Sequence, residues 1–267
     1  MRSVWFMYHE FFDGAAPPAV IPYTLVRYCF SMARFRRHLE VIRHSTLRTL
    51  TAAEWRAQRD SPAAEDSIVI TFDDGWVRSL TDGVAALADF GFRGTFYVTR
   101  DFVGRPGCVT PAQLREDANA GMEIGAHGIT HRYFSSLSEG TLRAELRDGR
   151  AFLEDHIGRP VKSLAAPGGV WTRRIAELAQ DSGYETFATS KPGINTTRTD
   201  VMHLRRVGMR NTMDERTIAR FCRYNLRKEA FRDGVLDVPK RLLGIERYAR
   251  MRRDLLRALA RGATSAD

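Results

Sequence analysis

Short apolar runs alternate along the chain with segments in which apolar residues recur every three or four positions. The runs are rich in branched and aromatic side chains, which favours strands, and the spaced segments favour amphipathic helices. The predicted strands are Val4–His9, Ser67–Phe72, Thr95–Val98, Met122–Ala126, Val161–Ala165, Thr186–Thr189 and a weaker one at Leu204–Val207. The predicted helices centre on Phe35–Ile42, Val84–Phe90, Leu142–Ile157 and Ile175–Ala179.

The alternation of strands with helices predicts an α/β fold with a parallel sheet covered by helices. About seven such units over some 200 residues favour a distorted barrel slightly smaller than the eightfold one. Thr110-Pro111 is typical of a helix start. Four glycines, Gly91, Gly121, Gly158 and Gly183, follow predicted helix ends, where a left-handed cap is favoured. Residues 11–31 are predicted to form a long surface loop.

The composition is that of an ordinary globular protein, with 43% hydrophobic and 27% charged residues among 267. Three scattered cysteines form neither a paired motif nor a disulfide framework, which indicates a reducing compartment or inert thiols. No apolar run is long enough to span a bilayer, and Tyr8-His9-Glu10 interrupts the first apolar stretch, so no secretory signal is visible. We therefore expect a cytoplasmic protein, with peripheral contact at the inner membrane face as a further option.

The positive charge is confined to the end of the chain. Residues 1–204 carry 24 basic and 24 acidic residues, whereas residues 205–267 carry 17 and 8, which accounts for the whole net charge of +9. This division predicts a barrel domain over residues 1–210 and a basic helical extension over residues 211–267. The segment Lys240–Ala260 is either a helix with a solvated basic face or a contact for anionic membrane lipid or a lipid-linked glycan. Sparse aromatic residues disfavour nucleic-acid binding.

Two adjacent carboxylates, Asp73 and Asp74, follow the predicted strand Ser67–Phe72 and precede Gly75. In parallel α/β folds, ligands collect at the carboxyl ends of strands. Because two carboxylates this close repel each other, a cation or a proton is expected between them. The alternative is an acidic turn in which an aspartate caps the next helix.

Two histidines four residues apart, His127 and His131, follow another short strand. A helical turn after that strand would bring both imidazoles to one side. Two imidazoles and a carboxylate form a common open ligand set for zinc and also suit other transition metals. The spacing alone arises by chance on surfaces, but together with a strand that ends in Asp-Asp it predicts a metal site.

Two further segments have both a structural and a functional interpretation. Pro167-Gly168-Gly169 follows a predicted strand and is either a plain loop or the wall of a groove. His9 ends the first predicted strand and is either a buried or rim histidine or a reactive group.

These segments resemble the NodB-like polysaccharide deacetylases, carbohydrate esterase family four. Thr71-Phe72-Asp73-Asp74-Gly75 resembles their first motif, His127-Gly128-Ile129-Thr130-His131 their second, and Ala166-Pro167-Gly168-Gly169 a variant of their third. The resemblance spans roughly residues 4–207. It implies a distorted (β/α)7 barrel and N-deacetylation of N-acetylglucosamine-type sugars. It also implies a divalent metal held by Asp74, His127 and His131, with Asp73 as general base and Pro167, Gly168 and Gly169 at the substrate.

The sequence departs from the later motifs of that family. The arginine that usually contacts the base is missing from the third motif, where Ala165 and Ala166 stand instead. The usual fourth motif is absent. A branch similar to the poly-N-acetylglucosamine deacetylases is circularly permuted, and its first strand ends in Tyr-His, as Met7-Tyr8-His9 does here. This resemblance implies that His9 is the general acid, with His203 as the alternative.

The function that we expect is metal-dependent deacetylation of an aminosugar in a polysaccharide, oligosaccharide or lipid-linked glycan of the cell envelope or an exopolysaccharide. Zinc is the first expectation for the metal, with cobalt, nickel or manganese as alternatives. Hydrolysis of another amide, such as a formyl group, and a catalytically weak saccharide-binding barrel are the other hypotheses. The intact set of Asp73, Asp74, His127 and His131 speaks against the binding barrel.

Overall fold

The computed structural model describes residues 1–13, 21, 25–243 and 251, with the backbone alone for residues 236–243. Eleven strands are present in this part of the chain. They are β1 (Arg2–Tyr8), β2 (Glu10–Phe12), β3 (Cys29–Ser31), β4 (Arg48–Leu50), β5 (Ser67–Asp74), β6 (Thr95–Val98), β7 (Glu123–Ala126), β8 (Ser163–Ala165), β9 (Thr186–Ala188), β10 (Ile194–Thr196) and β11 (Val207–Gly208).

Nine α-helices lie between or after the strands in the described residues. They are α1 (Met32–His44), α2 (Ala52–Gln58), α3 (Val77–Leu80), α4 (Asp82–Asp89), α5 (Pro111–Asn119), α6 (Glu139–Ile157), α7 (Arg173–Asp181), α8 (Glu215–Cys222) and α9 (Arg227–Leu243). Helix α5 begins at Thr110-Pro111 with a capping box to Gln113, as the sequence predicts. Gly158 ends α6 in the left-handed conformation. Within the described residues, none of the helices has a stretch both long and apolar enough to cross a bilayer.

The main sheet is a curved parallel sheet that runs β1-β5-β6-β7-β8-β9. The segment after β9 completes the ring, because Leu204 forms a parallel bridge with Ala188 and β11 then pairs in parallel with β1. Seven parallel segments therefore surround the barrel, and the prediction of a distorted (β/α)7 barrel is confirmed. Strands β4 and β10 pair on β5 and on the first residues of β1.

Side chains along the ring strands alternate between two clusters. Val4, Phe6 and Tyr8 of β1 belong to the large cluster that packs under the helices. Trp5 belongs to a smaller cluster inside the ring, to which β5, β6, β8 and β9 also contribute. Since both faces of these strands are buried, they appear in the sequence as continuous apolar runs.

The seven predicted strands are all confirmed to within three residues at either end. The prediction of a surface loop over residues 11–31 is wrong at both ends. There β2 and β3 pair in parallel, and Phe11 and Phe30 are fully buried beside Tyr8. Each of these two strands has only three residues, which gives too few positions to show a period.

Helix α8 lies beyond the predicted barrel boundary at residue 210 but contributes to the barrel's core. Ile218 and Phe221 are fully buried, and the Phe221 ring contacts Phe6 of β1 at a centroid distance of 6.0 Å. The division at residues 210 and 211 stays a prediction. Apart from the backbone to Leu243 and the single residue Met251, the basic segment Lys240–Ala260 lies outside the described residues.

Candidate functional site

The polar residues singled out in the sequence follow the carboxyl ends of neighbouring barrel strands. Strands β1 and β5 are parallel, with Met7 opposite Thr71 and Tyr8 opposite Phe72. One residue further along the same register, His9 is aligned with Asp73. Side chains alternate along a strand, so these two share the face of the strands that points into the ring. His127 follows β7 at the same edge of the sheet.

Asp74, His127 and His131 come together as predicted. One potential ligand atom from each lies within 4.8 Å of the others. Asp74 Oδ1 is 2.9 Å from His131 Nε2 and 3.5 Å from His127 Nε2. The second carboxylate oxygen of Asp74 accepts a hydrogen bond from the indole N–H of Trp76 (3.0 Å). The carboxylate therefore offers one oxygen to the histidines and is held in place through the other.

The protonation state of His127 follows from its partner. Its Nδ1 lies 2.8 Å from the carbonyl oxygen of Ala165 at the end of β8. A carbonyl oxygen only accepts, so Nδ1 carries the proton and Nε2 presents its lone pair toward Asp74. Complete burial lowers the pKa of His127 to about 4, which keeps the ring neutral. Neutral imidazole is the form that binds a metal ion.

Two residues of the ligand set have unusual backbone conformations. Asp74 and His131 have φ angles of 81° and 61°, in the left-handed region that side chains other than glycine avoid. Such positions cost about 1–3 kcal/mol each and persist only where the surroundings enforce them. Both residues are members of the proposed ligand set, so the outliers coincide with the functional site.

The segment between the two histidines is a bent loop and not a helical turn. Glu145 of α6 holds this loop. It is 3% exposed and accepts hydrogen bonds from the backbone N–H of Thr130 (3.1 Å), from the Thr130 hydroxyl (2.5 Å) and from the backbone N–H of Ile129. Gly128 has a φ of 75°, and a Cβ there would lie 3.0 Å from Glu145 Oε2. Because Glu145 of α6 fixes the loop between the two histidines, their imidazoles lie close together.

Asp73 does not share the ligand set but pairs with an arginine. Arg206 donates to both Asp73 oxygens, at 2.6 and 2.9 Å. Its remaining donors reach the Thr189 carbonyl oxygen (3.0 Å) and the Thr71 hydroxyl (3.1 Å), and its guanidinium lies over the Tyr97 ring at 5.1 Å. Arg206 is fully buried. A bidentate pair of this kind fixes the direction of the carboxylate as well as its charge.

Opposing effects set the charge of Asp73. Burial alone would raise the pKa of its carboxyl, but the positive charge and hydrogen bonds of Arg206, together with His127 and His9, hold the pKa below its ordinary value. Asp73 is therefore ionised at neutral pH.

The expectation that the base lacks its arginine is wrong. The alanines at positions 165 and 166 do leave the third motif without one, but Arg206, just before β11, contacts the Asp73 carboxylate instead. The sequence contained a signal, since Arg206 lies within the predicted strand Leu204–Val207, whose two apolar ends are buried.

The two candidate acids have different surroundings. His9 lowers the pKa of both Asp73 and Asp74 through its charge, and its ring packs on Tyr28 at 5.0 Å with a buried Nδ1 that has no hydrogen-bond partner in the described residues. His203 stacks on Trp171 at 4.1 Å, and burial and Arg205 lower its pKa. His9 alone of the two interacts with the aspartates.

Pro167-Gly168-Gly169 forms a tight turn directly after β8, next to the carbonyl that orients His127. Both glycines have a φ of 67°. A Cβ on Gly168 would overlap the Tyr133 ring, and one on Gly169 would overlap Ser190. The N–H of Gly169 donates within the turn to Ala166 (2.8 Å), so it is not free for a ligand. Glycine is required here for close packing of the rim, and contact with substrate stays a prediction.

The residues present fit a divalent metal ion. A buried carboxylate and two imidazoles converge, with His127 oriented by a carbonyl and the His131 loop oriented by Glu145. Two histidines, one carboxylate and an open side are typical of catalytic zinc sites. The described residues contain no cysteine in this ligand set, which leaves oxygen and nitrogen donors.

Comparison with known proteins agrees with this geometry. The polysaccharide deacetylase family profile matches residues 60–187. A curated relative, the peptidoglycan-N-acetylglucosamine deacetylase of Bacillus cereus, is 31% identical over 130 residues, which are 48% of this chain and 59% of that protein. The chain spans 58% and 59% of the length of the first two curated relatives that it matches.

Solved structures share the fold. The deacetylase PplD of Streptococcus pyogenes, solved in complex with acetate, has a TM-score of 0.73 and 17% identity, over 82% of this chain and 96% of that one. IcaB of Ammonifex degensii has a TM-score of 0.68 and 22% identity over 82% and 96%. The family match contains Asp73, Asp74 and both histidines of the ligand set, but it ends before Arg206 and begins after His9. Over residues 60–187 the chain is similar to the polysaccharide deacetylase family, and its barrel has the same fold as these solved structures.

Proposed function

We propose that this protein hydrolyses the N-acetyl group of an aminosugar in a glycan of the cell envelope or an exopolysaccharide. One observation carries the proposal: a buried Asp-His-His ligand set lies beside a second carboxylate that an arginine holds separately, with a histidine on the facing strand. The names of the relatives support the substrate class, since they include a peptidoglycan-N-acetylglucosamine deacetylase.

The ligand set of Asp74, His127 and His131 would hold a divalent cation, zinc first. When bound, the cation supplies Lewis-acid polarisation of the acetyl carbonyl and lowers the pKa of water. It also accounts for the accumulation of a carboxylate and two imidazoles in a buried place, because a cation offsets their desolvation.

Asp73 acts as the general base in this proposal. It is ionised, and Arg206 directs its carboxylate, so it can accept the proton of the attacking water. The lowered pKa makes Asp73 a weak base in isolation. Arg206 thus lowers the basicity of Asp73 but fixes the position of its carboxylate. Correct placement of the base contributes more to the rate than one pKa unit of basicity does.

His9 acts as the general acid. Amide hydrolysis expels an amine that leaves poorly without a proton, so a protonated group is needed on the leaving side. His9 lies at the end of the strand beside Asp73, within electrostatic range of both aspartates.

The decisive experiment compares His9→Ala with His203→Ala in zinc-loaded protein. Acetate and formate release would be followed with neutral N-acetyl- and N-formylglucosamine oligosaccharides, and bound zinc would be measured for each variant. His9→Ala should lose about 10²–10⁴-fold in kcat and keep its zinc, whereas His203→Ala should retain activity. Zinc loss or full activity in His9→Ala contradicts the assignment. Zinc binding without release of either acid from any glycan contradicts hydrolysis itself.

We further propose a cytoplasmic protein whose basic end touches anionic lipid at the inner membrane face. Helix α9 exposes Phe231 (76%) and Val235 (55%) one turn apart, before the arginine-rich end of the chain. Flotation with anionic and neutral vesicles tests this in the full chain. Glutamine at Arg247, Arg250, Arg252 and Arg253 should abolish binding to anionic vesicles; unchanged flotation contradicts the contact.

A further inference from the structure

One aromatic side chain of the barrel interior, Tyr97 of β6, lies beside the proposed base. In the parallel register of β5 and β6, Tyr97 is opposite Asp73. It is fully buried, and its side chain belongs to the small cluster inside the ring of strands, together with Trp5. Asp73 and Tyr97 therefore project to the same side of the sheet from neighbouring strands.

The next strand makes room for the aromatic ring of Tyr97. Gly125 of β7 is opposite Tyr97 in the register of β6 and β7. A Cβ on Gly125 would lie 2.6 Å from Cδ1 and 2.8 Å from Cε1 of Tyr97, and 3.0 Å from the carbonyl oxygen of Ser163 on β8. Because these distances are too short for packed atoms, a side chain at position 125 would displace the ring. The glycine thus allows the ring to lie against β7.

Arg206 lies over the Tyr97 ring, with its guanidinium carbon 5.1 Å from the ring centre. Four hydrogen bonds, to Asp73, Thr71 and Thr189, fix the directions of the guanidinium N–H groups. A cation over an aromatic face is attracted by the ring, and the attraction is strongest where water is excluded, as it is between these two fully buried side chains. Tyr97 therefore stabilises the charge of Arg206 at the place from which Arg206 reaches Asp73.

The ring of Tyr97, and not its hydroxyl, makes this contact. The hydroxyl oxygen is buried and has no hydrogen-bond partner in the described part of the chain. Burial raises the pKa of this hydroxyl well above its ordinary value, so Tyr97 is neutral and offers Arg206 no opposite charge. A phenylalanine at position 97 would keep the contact, whereas a leucine would fill much of the space without an aromatic face.

We propose that Tyr97 is a positioning residue for the general base: its ring supports the guanidinium of Arg206, which in turn holds the Asp73 carboxylate. The inference rests on the proposed function, in which Asp73 accepts the proton of the attacking water. The ring acts through Arg206 and not on the substrate. Loss of the ring should therefore slow the chemical step and leave substrate binding unchanged, because the position of the base matters at the transition state.

Acetate release from a neutral N-acetylglucosamine oligosaccharide by zinc-loaded variants tests this role. Tyr97→Leu should lose about tenfold in kcat, with KM and bound zinc unchanged, whereas Tyr97→Phe should keep nearly all of its kcat. Phe96→Leu is the matched control, because Phe96 is an equally buried ring on the same strand that stacks on Phe72 (4.5 Å) in the cluster under the helices. It should lose stability and keep its kcat. Full kcat in Tyr97→Leu, or an equal loss in Tyr97→Phe or in the control, overturns the positioning role.

A double-variant cycle separates this role from a general loss of packing. If the ring acts through Arg206, Tyr97→Leu should lower kcat by less than about twofold when it is added to Arg206→Ala, since the group that it supports is already absent. A further tenfold loss in the double variant would mean that the ring acts on the reaction by another route, and the proposal would be wrong.

The Nε–H signal of Arg206 in the magnetic resonance spectrum of isotope-labelled, zinc-loaded protein gives a readout without turnover. This group donates to the Thr189 carbonyl oxygen (3.0 Å), and its signal is identified by its absence in Arg206→Lys. Its exchange with solvent should be on the order of tenfold faster in Tyr97→Leu than in Tyr97→Phe. Faster exchange in a protein that releases no acetate supports the contact, in which case the proposed function fails alone. Acetate release with exchange and kcat unchanged in Tyr97→Leu removes the positioning role and leaves the function in place.

Discussion

Asp73 and Arg206 must compensate each other's charge, because each side chain is buried and charged. Removal of one partner leaves the other uncompensated, which costs about 3–5 kcal/mol in buried pairs. Arg206 also bonds the Thr189 carbonyl oxygen and the Thr71 hydroxyl, so it links the ends of β5 and β9. Arg206 therefore contributes both to the orientation of the Asp73 carboxylate and to the stability of the fold.

Arg206→Ala should lose at least tenfold in kcat, keep its zinc and lose about 3–5 kcal/mol in the free energy of unfolding. Urea denaturation, zinc analysis and acetate release measure the three quantities. Arg206→Lys should recover more activity than stability, since a lysine keeps the charge but not the bidentate geometry. Arg205→Ala, at the exposed neighbour, is the control. Loss of zinc in Arg206→Ala would mean that the arginine serves the ligand set instead of the base.

The residues of the site were predictable where they belong to a short sequence motif. Asp73, Asp74, His127 and His131 stand at strand ends in recognisable spacings, and the structure brings the last three together. Arg206 was not predictable, because its contact with Asp73 spans 133 positions and depends on how the ring closes. Glu145 was missed for the same reason, since a glutamate on an amphipathic helix normally faces solvent.

The helices around the ring act on the site through the loops that they hold. Helix α6 supplies Glu145 to the histidine loop, while its exposed face carries Glu139, paired with Arg143 and Arg174. One helix thus provides a buried and an exposed glutamate whose effects can be compared directly.

Glu145→Ala should weaken zinc binding by about 10–100-fold, the range found when a partner that orients ligands is removed. The N–H groups of Ile129 and Thr130 lose their acceptor, so the loop that carries His131 is no longer fixed. Competition with a chromophoric chelator measures the affinity. Glu139→Ala should leave it unchanged. If Glu145→Ala binds zinc as tightly as the unchanged protein, the loop is held by other contacts and the positioning role is wrong.

The seven strands of the ring were predictable as elements, including β8, β9 and β11 with three residues or fewer. Strands β2, β3, β4 and β10 were missed, and each has only three residues. Their formation depends on neighbours that the ring supplies, such as the pairing of β10 with β1.

The first strand and the last part of the barrel are tied together through one buried histidine. His38 of α1 is fully buried between the Tyr8 hydroxyl (3.0 Å from Nδ1) and the Met213 carbonyl oxygen (3.2 Å from Nε2). Because that carbonyl can only accept, Nε2 carries the proton and Nδ1 accepts from Tyr8. The contact joins β1, α1 and the segment before α8, so the protein's stability depends on a neutral His38.

Burial lowers the pKa of His38 from 6.5 to about 4. A group whose pKa is lower in the folded state contributes stability above its unfolded pKa, and this contribution is lost as the pH falls from about 6.5 to about 4. The full difference corresponds to about 3 kcal/mol. His38→Gln, which stays neutral, should therefore lose less free energy of unfolding across this range than the unchanged protein.

Urea denaturation of metal-free protein at pH 7.5, 6, 5 and 4 (about these values) measures this difference, with His127 titrating alike in both proteins. His44→Gln is the matched control, because His44 is exposed at the end of the same helix. It should follow the unchanged protein at each pH. Parallel curves for His38→Gln and the unchanged protein would show that His38 is protonated in the folded state, and the link between β1 and Met213 would then have to tolerate a charge.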